Sequence, residues 1–162
     1  MVICLKTIAI LGDSGTGKTT LARSIIGYLR RSGLRVSFVK NIPHDDAAFE
    51  MAGKDTESTM SAGATLSAGI TPSKAFFTLS GHHDLVEIIE LAGAWSDACI
   101  LEGFRNEISR IGSDVIVNIS PIGSAASLGV AEVISRNNRA SFPMETRMGD
   151  LLEFILKCLE DA

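Results

Sequence analysis

The sequence predicts an α/β fold, with a mostly parallel sheet and helices on both of its faces. Three observations predict it. The apolar run "TIAILG" (Thr7–Gly12) leads into a glycine-rich loop and then into a helical pattern. The β-rich segment "RVSFVK" (Arg35–Lys40) follows, so strand, helix and strand form a βαβ unit, which builds parallel sheets. Further on, "DACILEG" (Asp97–Gly103) and "DVIVNIS" (Asp114–Ser120) are near-continuous apolar runs, as expected of strands covered on both faces.

The elements follow in order. The first strand ends at Gly12. Its approach, "MVICLKTIAIL", is interrupted by Lys6 and lacks a small-residue cleavage site, so it reads as a buried strand and not a signal peptide. From Thr19 to Arg31, Leu21, Ile25, Tyr28 and Leu29 fall at helical spacing, and Gly33 punctuates the end. Residues 41–54 look irregular, with Pro43 and Gly53, and a short helix is expected over Asp55–Ala62 with Asp55 as its cap. "ATLSAGI" and "KAFFTLS" read as two strands joined by the turn Thr71–Ser73; so tight a connection makes them antiparallel and the sheet mixed. Asp84 caps a helix with Glu87 three residues on and Leu85, Ile88, Ile89 and Leu91 facing inward. After the strands at Asp97–Gly103 and Asp114–Ser120, Gly149–Asp150 opens a last helix with Leu151, Phe154, Ile155, Cys158 and Leu159 on one face. No repeat or linker interrupts the chain, which reads as one domain over residues 1–162.

Composition excludes some functions. A net charge of −4 argues against a nucleic-acid surface, which needs clustered Lys and Arg. The densest cationic stretch, Arg136–Arg139, reads as a solvated helix end. Cys4, Cys99 and Cys158 sit far apart in apolar runs, as expected of buried free thiols in a reducing cytoplasm. No apolar run approaches the roughly 18 residues of a membrane span.

The loop "GDSGTGKTT" meets the pattern G-x-x-x-x-G-K-[ST] with Gly12, Gly17, Lys18 and Thr19. Together with the preceding strand and following helix, it predicts a three-layer P-loop NTPase sandwich. Glycines such as Gly12, Gly15 and Gly17 let the backbone N–H groups of Asp13, Ser14, Thr16 and Thr20 curl around phosphate, and the helix N-terminus adds partial positive charge. Lys18 is expected to reach the β- and γ-phosphates and Thr19 to ligate Mg²⁺. A second metal-site acid is expected in Glu102, where an apolar strand ends in the crevice of the sheet. Asp97 and Asp114 begin their strands and fall on the wrong side. The second strand ends in Lys40, with His44, Asp45 and Asp46 behind it: Lys40 suits a phosphate, and Asp45 or Asp46 suits a water or Mg²⁺. His82–His83 reads as a surface pair, since adjacent histidines chelate poorly alone. No [NT]-K-x-D motif identifies the base, and Leu11 occupies the position where dimer-activated ATPases of this kind carry a second lysine.

Several segments together resemble the molybdopterin-guanine dinucleotide biosynthesis protein B (MobB) family: "GDSGTGKTTL" (Gly12–Leu21), "VKNIPHDD" (Val39–Asp46), "GKDT" (Gly53–Thr56) with "SAGA" (Ser61–Ala64), and "ILEGFR" (Ile100–Arg105). The resemblance covers roughly the first two-thirds of the chain. Asn41 and Pro43 stand where the family often has histidines, leaving His44. The resemblance implies a cytoplasmic, homodimeric GTP-binding protein with weak GTPase activity. It implies work alongside the MobA-type enzyme that attaches GMP to molybdopterin. It also implies a nucleotide loop over Asp13–Thr20, a metal site at Thr19 and Glu102, and site roles for Lys40, His44, Asp45 and Lys54. Slow hydrolysis is expected because no general base or arginine finger is evident in the chain. Two other readings are a small-molecule kinase, with Arg136 and Arg139 as a lid over phosphate, and a nucleotide-switched metallochaperone using His44, His82 or His83.

Overall fold

A computed structural model describes residues 5–42, 54–121, 129–143 and 147–162. Along the chain run β1 (Lys6–Gly12), α1 (Lys18–Arg31), β2 (Val36–Lys40), α2 (Lys54–Ser61), β3 (Leu66–Ile70), β4 (Ala75–Leu79), α3 (Leu85–Gly93), β5 (Ala98–Glu102), α4 (Arg105–Ile111), β6 (Val115–Pro121), β7 (Gly129–Ser135), β8 (Arg139–Pro143) and α5 (Met148–Glu160). They divide into two compact units, one over Met1–Asn41 with Leu85–Ala162 and one over Ile42–Asp84.

The first unit is built on a six-stranded sheet in the order β2-β5-β1-β6-β7-β8. Its first four strands are parallel and its last two antiparallel. Strand alternation sends Ile8 and Ile10 to one face and Ala9 and Leu11 to the other. On the first face α1 packs with Leu21, Ala22, Ile25 and Leu29, and α5 with Leu151, Leu152, Ile155, Cys158 and Leu159. On the second, α3 brings Leu85 and Ala92 and α4 brings Ile108. These are the three layers expected. β5 is buried at all five positions, which is why its sequence lacks alternation. Each fully buried Leu or Ile here contributes roughly 1.5–3 kcal/mol.

The sheet is mixed, but not through the hairpin that the sequence suggested. β3 and β4 do pair antiparallel, as a separate two-stranded sheet in the second unit. The antiparallel strands of the main sheet are β7 and β8, whose region the sequence left unassigned. Arg136–Arg139 is accordingly not a helix end. It is the turn from β7 to β8, closed by the Ser135 N–H on the Asn138 carbonyl at 2.8 Å.

Other boundaries move slightly. Helix α2 covers Lys54–Ser61, so Asp55 lies within it. In α3, Leu91 is exposed and Ala92 takes the inward position. In α5, Leu152 is buried, while Phe154 is half-buried against Phe142 of β8, ring centroids 5.4 Å apart. Cys99 and Cys158 are buried free thiols, and burial pushes Cys99 up to about 11. Cys4 lies outside the described residues. Among the described residues, no helix is long and apolar enough to cross a membrane.

Candidate functional site

Four parallel strands end at one edge of the sheet, and their last residues fall in register. Lys40 closes β2 beside Glu102 of β5; Glu102 pairs with Ile10 of β1; Gly12, closing β1, pairs with Ile119 of β6. This is the carboxyl edge, where sheets of this class bind ligands.

From that edge the loop turns into α1. Gly12 has φ +152° and its backbone lies hard against the Ile119 carbonyl, leaving no space for a side chain. The Asp13 carbonyl collects three donors: the Thr16 hydroxyl at 2.9 Å, the Thr16 N–H at 3.4 Å and the Lys18 ammonium at 2.6 Å. Ser14 and Gly15 form the turn between, Gly15 with φ +78°. Gly17 stands at the helix N-cap in the left-handed region and carries no capping side chain, and the first turn has no acidic residue. The N–H groups around Thr19 and Thr20 thus open a helix end suited to an anion.

Glu102 is 3% exposed. Its two carboxylate oxygens accept from the Thr19 hydroxyl at 3.1 and 2.9 Å, and the Lys40 ammonium stands 3.2 Å from Oε1. The backbone holds it firmly: Asn41 N–H donates to the Glu102 carbonyl at 2.9 Å, and Gly103 N–H donates to that of Ile10 at 3.2 Å. Gly103, with φ +91°, then turns the chain away towards α4. A hydroxyl whose proton points at a buried carboxylate keeps its lone pairs for a cation. This all-oxygen pair suits a hard divalent ion such as Mg²⁺, completed by water and phosphate.

The structure thus brings Asp13, Thr16, Lys18, Thr19, Lys40 and Glu102 together. His44, Asp45 and Asp46 lie outside the described residues. Lys54 is the first residue of α2, in the second unit. Arg105, to which sequence reading gave no role, opens α4 with Nη2 3.8 Å from Asp13 Oδ1. Only its position just past the Glu102–Gly103 turn hinted at this.

The opposite edge holds the groups set aside. Asp97 pairs with Arg35 at 2.8 Å, and the side-chain and backbone hydrogen bonds from Arg35 hold its carboxyl down at about 2. Asp114 accepts from the Thr7 N–H at 2.6 Å. The β7–β8 turn also lies there, because Ser135 pairs with Val115 at the start of β6. Arg139 pairs with Glu132. Arg136 and Arg139 therefore stand at the far edge from the loop and form no lid over it. His83 Nε2 lies 3.1 Å from the Ser80 carbonyl, and no group of three metal-ligating side chains occurs among the described residues.

The family model for molybdopterin guanine dinucleotide synthesis protein B (MobB) matches residues 7–112, from β1 through α4. The chain belongs to the MobB family. The molybdopterin-guanine dinucleotide biosynthesis adapter protein of Escherichia coli (strain K12) is 30% identical over 108 residues, 64% of this chain and 61% of that protein. The chain thus spans less than two-thirds of the length of this relative. A crystal structure of Bacillus subtilis MobB is 24% identical, covers 62% of each chain and superposes with a TM-score of 0.53. A crystal structure of molybdopterin-guanine biosynthesis protein B is 23% identical, covers 95% of this chain and 99% of its own, and has a TM-score of 0.58. At these identities the MobB structures show a shared fold, the mixed sheet flanked by helices. The stretch matched by the family model contains every residue of the carboxyl-edge cluster, while β7, β8 and α5 lie beyond it.

Proposed function

We propose that the chain is a cytoplasmic, Mg²⁺-dependent GTP-binding protein with slow hydrolysis, an accessory to the enzyme that attaches GMP to molybdopterin. The observation that carries this reading is the buried Glu102 carboxylate on the Thr19 hydroxyl, directly behind the glycine loop. In a bound state the Lys18 ammonium leaves the Asp13 carbonyl for the β- and γ-phosphate oxygens. The loop N–H groups and the start of α1 hold the remaining phosphate charge. Thr19 and Glu102 would hold Mg²⁺, which would supply charge neutralisation for the phosphates. Turnover is slow on this reading because Glu102 is committed to Thr19 and the metal and Asp13 faces Arg105, which leaves neither as a general base. Asp45 is the proposed water-orienting residue, with His44 and Lys54 as further nucleotide contacts. Membership of the MobB family supports guanine as the base.

A homodimer is part of the same reading. By register, Leu66, Ala68 and Ile70 of β3 share one face with Ala75, Phe77 and Leu79 of β4, and Leu66, Ile70 and Phe77 are exposed. A two-stranded sheet is marginal in water by itself, and covering this apolar face with a second copy would stabilise it.

Thermal unfolding with GTP, GDP, ATP and ADP, each with and without Mg²⁺, tests the proposal. A ligand at about 100 times its Kd adds roughly 2.7 kcal/mol, or about 5–10 °C for a chain of this size. The expected result is a Mg²⁺-dependent rise with guanine nucleotides that Lys18→Ala abolishes. A rise with adenine nucleotides alone would overturn it.

A further inference from the structure

We propose that Lys40 is a built-in competitor of Mg²⁺ for Glu102, and that its displacement couples metal binding to triphosphate binding. This rests on the nucleotide-binding reading above. A carboxylate that is 3% exposed needs a counter-charge, because an unpaired buried charge is costly. Lys40 supplies it, 3.2 Å from Oε1. Its place is set by strand register: the last residue of β2 lies directly beside the last residue of β5. The other partner of Glu102 is the Thr19 hydroxyl, the oxygen that would ligate the metal. A dication arriving at that hydroxyl meets a cation already seated on the same carboxylate. The two repel at short range beside a buried carboxylate.

Lys40 can give way. Its side chain is 46% exposed, on a flexible four-carbon stem, whereas Glu102 is fixed. Once displaced, the ammonium needs a new anion, and the terminal phosphate at the same strand edge is the available one. Metal and triphosphate then favour each other through one side chain. A diphosphate offers the displaced lysine less. By linkage, the metal strengthens triphosphate binding by the same factor as the triphosphate strengthens metal binding.

The test is the Mg²⁺ concentration giving half the maximal thermal stabilisation, at saturating GDP and at saturating GTP. It is measured for the wild type, Lys40→Met and Lys40→Arg. The wild type is expected to need at least about fivefold less Mg²⁺ with GTP than with GDP, the lower end of ordinary couplings. In K40M the GDP midpoint falls and the GTP–GDP difference closes. K40M without metal or nucleotide also melts below wild type, because Glu102 has lost its counter-ion. In K40R the planar fork grips the carboxylate more firmly, and the GDP midpoint rises above wild type. A K40M midpoint equal to or above wild type overturns the inference alone. Should K40M not fold, a K40R midpoint at or below wild type overturns it equally. No Mg²⁺-dependent stabilisation of the wild type by either nucleotide overturns both this inference and the nucleotide-binding reading.

Discussion

Replacing Gly12 with Ala puts a methyl group where β6 leaves no room. A Cβ built at Gly12 lies 2.6 Å from the Ile119 carbonyl oxygen and 2.9 Å from Thr16 Oγ1. The hydroxyl can rotate away, but the carbonyl belongs to the strand paired with Gly12 and cannot retreat without opening the β1–β6 ladder. Backbone strain at φ +152° adds to the clash. Strain of this kind costs about 1–3 kcal/mol, and forced overpacking adds about 1–3 kcal/mol. Their sum, about 4 kcal/mol at its centre, lowers Tm by about 8–16 °C at roughly 2–4 °C per kcal/mol. Gly17 is the control. It too has a positive φ, +87°, but nothing described lies within 4 Å of its Cβ position. Gly17→Ala therefore carries strain alone, about 2 kcal/mol, and melts about 4–8 °C below wild type. The gain from stiffening the unfolded chain is common to both variants and cancels in the comparison. Circular-dichroism melts of the ligand-free proteins check the ordering. Equal melting temperatures for the two variants would refute the argument that β6 encloses the loop at Gly12.

The Arg35–Asp97 pair makes the protein acid-sensitive in a defined window: the folded carboxyl titrates at about 2, below its ordinary 3.8, so its contribution is complete above 3.8 and fades as pH falls towards 2. In Arg35→Met the carbon-13 titration of Asp97 should return towards 3.8; a midpoint still near 2 would deny Arg35 its role. Cys99 and Cys158, both fully buried, should take up no thiol reagent in the folded protein, and peptide mapping after brief labelling checks this. Ile155→Ala, deep between α5 and the sheet, should cost about 2–5 kcal/mol in urea unfolding, whereas Leu91→Ala on the exposed side of α3 should stay within about 0.5 kcal/mol.

What could be read from the sequence depended on how local each signal was. β1, β5 and β6 announce themselves because burial on both faces leaves almost unbroken apolar runs, and α1 and α5 because their apolar stripes recur at helical spacing. β7 and β8 do not: Glu132 and Ser141 break up their apolar character, and what makes them strands is a place beside β6 in the finished sheet. α4 is short, and Phe104 at its N-cap position offers no capping side chain, so no start signal marks it. The site divides in the same way. Glu102 and Lys40 were legible as polar residues ending apolar strands, and the strand order then placed them side by side. Arg105 meets Asp13 only through the turn at Gly103 and the pairing of β5 with β1, neither of which a linear pattern encodes.

The strand order also has a consequence for the making of the protein. β1 leaves the ribosome long before its neighbours on either side, which begin at Ala98 and Val115. The nascent chain therefore carries the glycine loop on a strand without its sheet neighbours until β5 has emerged. The hairpin of β3 and β4, and later the meander from β6 to β8, close over short stretches and can form promptly, whereas β1 must wait for partners far downstream. On the nucleotide-binding reading proposed above, capture of the ligand is consequently a late event in biogenesis. A chain stalled before β5 should be blind to nucleotide however intact its loop sequence is, and it would expose an apolar strand that invites aggregation or a chaperone.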